Sequence, residues 1–81
     1  MNITVSFYSY FKEITGCEKT VAQLPARSTI QMLLDQLSRQ FPRFGAMQNS
    51  LLIAVDVEYQ DRRYVLQEGD EVSLFPPVQG G

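Results

Sequence analysis

Ile30, Leu33, Leu34, Leu37 and Phe41 fall on one stripe at helical spacing, while Gln31, Asp35, Gln36 and Arg39 face away. This is the clearest helix in the chain, and it constrains the fold more than any other feature. An apolar stripe of this kind has to be buried against another layer, and the other strongly patterned stretches read as strands. Ser28 or Thr29 opens the helix. Ser28 and Gln31 have capping-box spacing, so each can satisfy a free backbone N–H of the other. Pro42 closes it, because the residue before a proline avoids helical geometry. The stripe is read as core packing, a helix laid on a sheet.

The flanking segments supply the sheet. Asn2 to Phe7 alternates, with Ile3, Val5 and Phe7 on one side and Asn2, Thr4 and Ser6 on the other, the period of a strand with one buried face. Tyr10 to Gly16 reads as a short helical turn closed by its glycine. Glu18 to Leu24 is a second, more weakly patterned strand ending before Pro25, paired with the first through that elaborated connection. Leu51 to Tyr59 is the strongest strand, with Ile53, Val55, Val57 and Tyr59 on one face and Asp56 and Glu58 on a partly solvated one. A short strand is expected at Tyr64-Val65-Leu66, a turn at Glu68-Gly69-Asp70 and a last strand from Glu71 to Phe75. One main helix across one face of a mixed sheet is a two-layer α+β domain. A β-grasp, or ubiquitin-like, arrangement satisfies this order with short connections and puts the first and last strands side by side at the centre. The 81 residues form one domain, 1–81, without repeat or linker.

Composition removes most kinds of chemistry. Hydrophobic residues make up 44% of the chain, enough for a core, although a small one that a bound partner would further stabilise. The net charge is −2 with no basic run, which argues against nucleic acid as a partner. No stretch approaches the roughly 20 apolar residues of a membrane span. Met1-Asn2-Ile3-Thr4 does not open like a signal peptide, so a cytoplasmic location is expected. The chain has no histidine and one cysteine, which excludes histidine triads, histidine-containing metal sites, cysteine clusters and an internal disulfide. Cys17 lacks a histidine base and is read as structural rather than as a reactive thiol. Asp56 with Glu58, and Glu68, Asp70 and Glu71 around Gly69, are the remaining acidic groups; turn and surface roles are preferred for them over a site. No metal and no bound cofactor is expected.

What stands out is the ending, Phe75-Pro76-Pro77-Val78-Gln79-Gly80-Gly81. The prolines stop the strand, since they cannot donate ladder hydrogen bonds, and they stiffen the exit. Gly80 and Gly81 then carry no side chain. Fully extended, residues 76–81 reach about 20 Å, at roughly 3.3–3.6 Å each. Such a tail can thread a narrow channel and place its terminal carboxylate against another protein's catalytic groups. A carboxylate is a poor electrophile; joined to AMP it gains a good leaving group, and a sulfur nucleophile can then displace AMP to leave a thiocarboxylate. All acid–base work can belong to partners, consistent with a chain that has no histidine. If Val72 and Leu74 face the helix, Phe75 faces the other way, where with Val78 it can anchor a partner. The plainer readings are a frayed terminus and a lone surface aromatic.

That ending resembles the F-P-P-V-x-G-G terminus of the small subunits of molybdopterin synthase, the molybdenum-cofactor sulfur carriers. Glu68-Gly69-Asp70-Glu71-Val72 resembles the same family's approach to its last strand, and Phe7 through Gly16 its first-strand segment, with Lys12 where arginine is more usual. The likeness spans essentially the whole chain, its middle mainly by pattern. It implies a β-grasp fold and a non-catalytic carrier subunit. Gly81 would be adenylated by an E1-like adenylyltransferase that consumes ATP, then converted to a thiocarboxylate by a sulfur donor. Gly80, Gln79, Val78, Pro77 and Pro76 would enter the large subunit of molybdopterin synthase, where sulfur passes to a pterin precursor. Phe75 would help hold the heterotetramer.

Three rivals share parts of this pattern. A thiamine-type sulfur carrier has the same fold and a Gly-Gly end, against which the proline pair and Val78 argue. A ubiquitin-like protein modifier shares the activation chemistry. A pure interaction module would have an inert tail.

Overall fold

The computed structural model describes residues 1–47 and 50–77. Strands β1 (Asn2–Phe7) and β5 (Glu71–Phe75) lie side by side and parallel, Val5 against Val72 and Phe7 against Leu74. Strand β2 (Lys19–Gln23) is antiparallel to β1, and β3 (Leu52–Val55) is antiparallel to β5. The short β4 (Glu58–Tyr59) completes a five-stranded mixed sheet of order β2-β1-β5-β3-β4. The first and last strands are thus at the centre, as the β-grasp expectation requires.

Helix α2 (Ile30–Gln40) covers one face of this sheet. Its Ile30, Leu33, Leu34 and Leu37 share one buried cluster with Ile3, Val5, Phe7, Val72 and Leu74. Period 3.6 on the helix and period 2 on the strands therefore meet in one core. Helix α1 (Tyr10–Thr15) adds Phe11 and Ile14 to that core. Gly16 ends α1 in the left-handed conformation, φ 77°, and returns its N–H to the Lys12 carbonyl.

Four expectations are corrected. Of the two residues that could open α2, Thr29 is the cap, and the Ser28–Gln31 capping box does not form: the Thr29 Oγ1 accepts from the Met32 N–H at 3.3 Å. The Ser28 hydroxyl instead donates to the Pro25 carbonyl at 2.7 Å. The two N–H groups a Ser28–Gln31 box would satisfy have other partners, Ser28 donating to the Pro25 carbonyl and Gln31 to the Arg62 carbonyl, while the Ile30 N–H donates to the Tyr64 carbonyl. Tyr64-Val65-Leu66 is accordingly not a sheet strand. It forms a single bridge, Val65 to Thr29, and tops the helix N-terminus.

Pro42 ends α2 as expected, with Phe41 at the C-cap, but it also starts a four-residue helix α3 (Pro42–Gly45) that the sequence reading omitted. α3 buries Phe44 completely, edge-on to Phe7 at 5.8 Å and Phe11 at 5.1 Å between ring centroids. Finally, Leu51 to Tyr59 is not one strand. The chain turns at Asp56, φ 56°, so β3 and β4 form a hairpin that leaves Val57 94% exposed. A short aspartate tolerates that left-handed backbone better than a β-branched residue does.

Candidate functional site

The sheet face away from α2 carries the features that bear on function. Alternation places Thr4, Ser6 and Tyr8 of the first-strand segment there, together with Ser73 and Phe75 of β5 and Leu52 and Ala54 of β3. Its middle is a low floor of small residues, Ser6, Ser73 and Ala54, all buried. Around it stand larger side chains: Tyr8, Leu52, Tyr59 and Val57 are each exposed apolar groups. A groove of about 320 Å³ runs between Tyr8 and Phe75 on one side and Val57 and Tyr59 on the other.

Phe75 is half-buried and is not a lone aromatic. Its ring stacks on Tyr8, 4.6 Å between centroids and 18° from parallel. Tyr8 continues the period-2 alternation of Thr4 and Ser6 by one further step beyond the strand expected from Asn2 to Phe7, and that step is the signal in the sequence that marks it. Tyr8 is tied down by its backbone, with its N–H donating to the Leu74 carbonyl at 3.1 Å. The next residue, Ser9, turns the chain into α1 with φ 52° and ψ −128°, and its side chain caps nothing. Positive φ is uncommon for a residue with a Cβ, so this corner is strained.

From Phe75 the chain leaves β5 through Pro76 and Pro77, both half-buried and outside any strand. Val78, Gln79, Gly80 and Gly81, on which the tail reading rests, lie outside the described residues.

The acidic groups have structural occupations. Glu68 accepts from the Asn2 N–H at 3.0 Å, and Asp70 from the Gln67 N–H at 2.9 Å, which closes the turn at Gly69. Asp56 accepts from the Glu71 N–H at 3.4 Å and joins the β3–β4 turn to β5. Tyr64 has its phenol pKa raised, first by desolvation and then by the carboxylates of Asp70, Asp56 and Glu58. No group of three or more potential metal ligands occurs among the described residues. Cys17 is half-buried against the core, its thiol 3.8 Å from the Thr15 hydroxyl. No described helix is long and apolar enough to cross a membrane.

This arrangement has known counterparts. A molybdopterin synthase sulfur carrier subunit from Arabidopsis thaliana is 30% identical over 81 residues, covering all of this chain and 84% of that protein. The fold superposes on SAMP1 from Haloferax volcanii with a TM-score of 0.89 at 20% identity, each chain covered completely. It also superposes, at 0.73 and 24% identity with complete coverage of both chains, on a chain in a complex of subunits 1 and 2 of the molybdopterin-converting factor from Helicobacter pylori. The family model described as the ThiS family matches residues 5–81. On that match, and with the ubiquitin-like sheet on which it rests, the chain belongs to the ThiS family.

Proposed function

We propose that this chain is the sulfur carrier of molybdenum cofactor biosynthesis. One observation carries the reading: the strand that ends in Phe75, stacked on Tyr8 at the rim of an uncovered sheet face, continues directly into Pro76, Pro77 and the Gly-Gly sequence. Docking and delivery are thus properties of one continuous segment. The face holds the partner, and the prolines stiffen the exit from the strand.

In this reading the Gly81 carboxylate attacks the α-phosphorus of ATP on an E1-like adenylyltransferase, and pyrophosphate leaves. Hydrosulfide from the sulfur donor then attacks the acyl carbon, AMP leaves with the bonding electron pair, and loss of the S–H proton leaves the thiocarboxylate. Gly80, Gln79 and Val78 accompany it into the active site of the molybdopterin synthase large subunit, where sulfur passes to a pterin precursor. Phe75 and Tyr8 seat on that subunit's surface, and two copies of each chain make the heterotetramer. The carrier binds no cofactor of its own, and the activating partner uses the ATP, in the cytoplasm. The named Arabidopsis relative and the two-subunit Helicobacter complex support this partner assignment.

The test is the intact mass of the untagged protein after incubation with ATP, its activating enzyme and a sulfur donor. The expected result is a gain equal to replacement of one oxygen by sulfur, abolished by deletion of Gly81. An unchanged mass with a demonstrably active activating enzyme overturns the carrier reading. Isopeptide-linked ladders on other proteins would redirect it to a protein modifier.

A further inference from the structure

The chain has two lysines, Lys12 and Lys19, and both line one cavity of about 210 Å³ beside Tyr8. Ser6 and Glu18 complete its polar lining. Ser6 is 2% exposed, and its Oγ is the one buried side-chain polar atom among the described residues without a hydrogen-bond partner. Leaving a buried hydroxyl unpaired is unfavourable, and an occurrence at a surface cavity calls for an explanation. Lys12 is engaged by Glu18 at 3.5 Å, an exposed pair. The ammonium of Lys19, which stands opposite Ser6 in the β1–β2 register, makes no ion pair among the described residues. An unpaired cation and an unpaired hydroxyl therefore sit side by side, next to the aromatic pair from which the tail departs.

We propose that this cavity is a subsite for an acidic side chain of the molybdopterin synthase large subunit, a proposal that rests on the function proposed above. A carboxylate satisfies both orphan groups at once. One oxygen accepts from the Ser6 hydroxyl and the other from the Lys19 ammonium, a charge-assisted bond stronger than a neutral one. A basic or amide group meets the lysine unfavourably or leaves its charge uncompensated. Glu18 offsets only Lys12, so the cavity keeps an excess positive charge within a chain of net charge −2. Ser6 reaches the incoming group by a change of rotamer, the single adjustment its short side chain has. The subsite shares Tyr8 with the Phe75 stack, so one partner surface can cover both. The orphan hydroxyl is then unfavourable in the free carrier and satisfied in the complex, which ties partner choice to a polar contact as well as to the aromatic anchor.

The test combines stability and affinity in the same variants. Ser6→Ala removes the unpaired hydroxyl, so the free chain is expected to keep or raise its denaturation midpoint while its affinity for the purified large subunit falls about fivefold. Lys19→Glu, at an exposed position, is expected to weaken the complex about tenfold at low salt, the deficit shrinking as ionic strength rises. A Ser6→Ala chain that binds as tightly as the parent overturns the subsite, as does one that is clearly destabilised when free, since its hydroxyl would then have had a partner. If the parent chain itself fails to bind the large subunit, the functional proposal falls as well. Parent binding with unaffected variants removes the subsite alone.

Discussion

The two faces of the sheet are built from the same five strands, yet they differ in almost every respect. Under α2 the strands present Ile3, Val5, Val72 and Leu74, all without exposed surface and packed against helix residues equally buried. On the other side they present Ser6, Ser73 and Ala54 as a low floor, with Tyr8, Phe75 and Tyr59 standing around it. Aliphatic side chains of matched size fill space with few voids, and burial of this kind is what holds a small domain together. Small residues ringed by aromatics leave a shaped surface that another protein can fill. The covered face thus carries stability, the open face carries recognition in the function proposed above, and substitutions should separate them.

The largest effect is expected on the covered side. Phe44→Ala removes a fully buried ring that touches Phe7 and Phe11 and should destabilise the chain by about 3–5 kcal/mol in a denaturant titration. A loss below about 1 kcal/mol would mean that α3 is peripheral to the core.

Phe75→Ala should sharpen the contrast. Stability falls by only about 1–2 kcal/mol as the Tyr8 stack is lost, whereas affinity for the large subunit falls tenfold or more. Calorimetric binding alongside denaturation reads both. A mutant that loses stability and affinity in equal measure would break the division between the faces.

At the edge of the open face, Ser9→Gly is expected to stabilise the chain by about 0.5–1 kcal/mol. It relieves the positive φ, less the extra freedom glycine has when unfolded. Thermal melts of the two chains check it, and a destabilised glycine variant would show that the corner is not strained.

The smallest effect lies outside both faces. Asp61 has its pKa lowered, first by the hydrogen bond from the Arg63 backbone N–H and then by the Arg63 side chain. A lowered folded-state pKa means that its contribution is present above the unfolded-state value and is lost as pH falls through the folded one. The group is fully exposed, so Asp61→Asn should flatten the acid side of the midpoint-against-pH curve only slightly. A large change would place Asp61 in a wider network.

Periodicity made much of this legible. The stripe Ile30, Leu33, Leu34, Leu37 and the alternation of Ile3, Val5 and Phe7 read correctly because each element's burial is a property of its own residues. The errors arose where one segment's role is set by another. Thr29 caps α2 because the carbonyls of Arg62 and Tyr64, more than 30 residues away, take the neighbouring N–H groups. Leu51 to Tyr59 kept its alternation through a turn, since Asp56 and Val57 match the polar and apolar pattern while the backbone reverses. Phe44 has no periodic partners in a four-residue helix, so nothing local marked it as core.

The site divides in the same way. Phe75, the two prolines and the paired glycines are close together in the chain, and that proximity alone is enough to read a stiff exit and then residues without side chains. The tertiary structure brought Tyr8 onto Phe75, 67 residues apart, through the parallel pairing of β1 with β5. The same β1 strand and its β2 partner set Ser6 beside Lys19. Local sequence determines backbone preference and which face a residue takes, because those depend on neighbours a few residues away. Which two faces meet is decided by strand pairing across the whole chain.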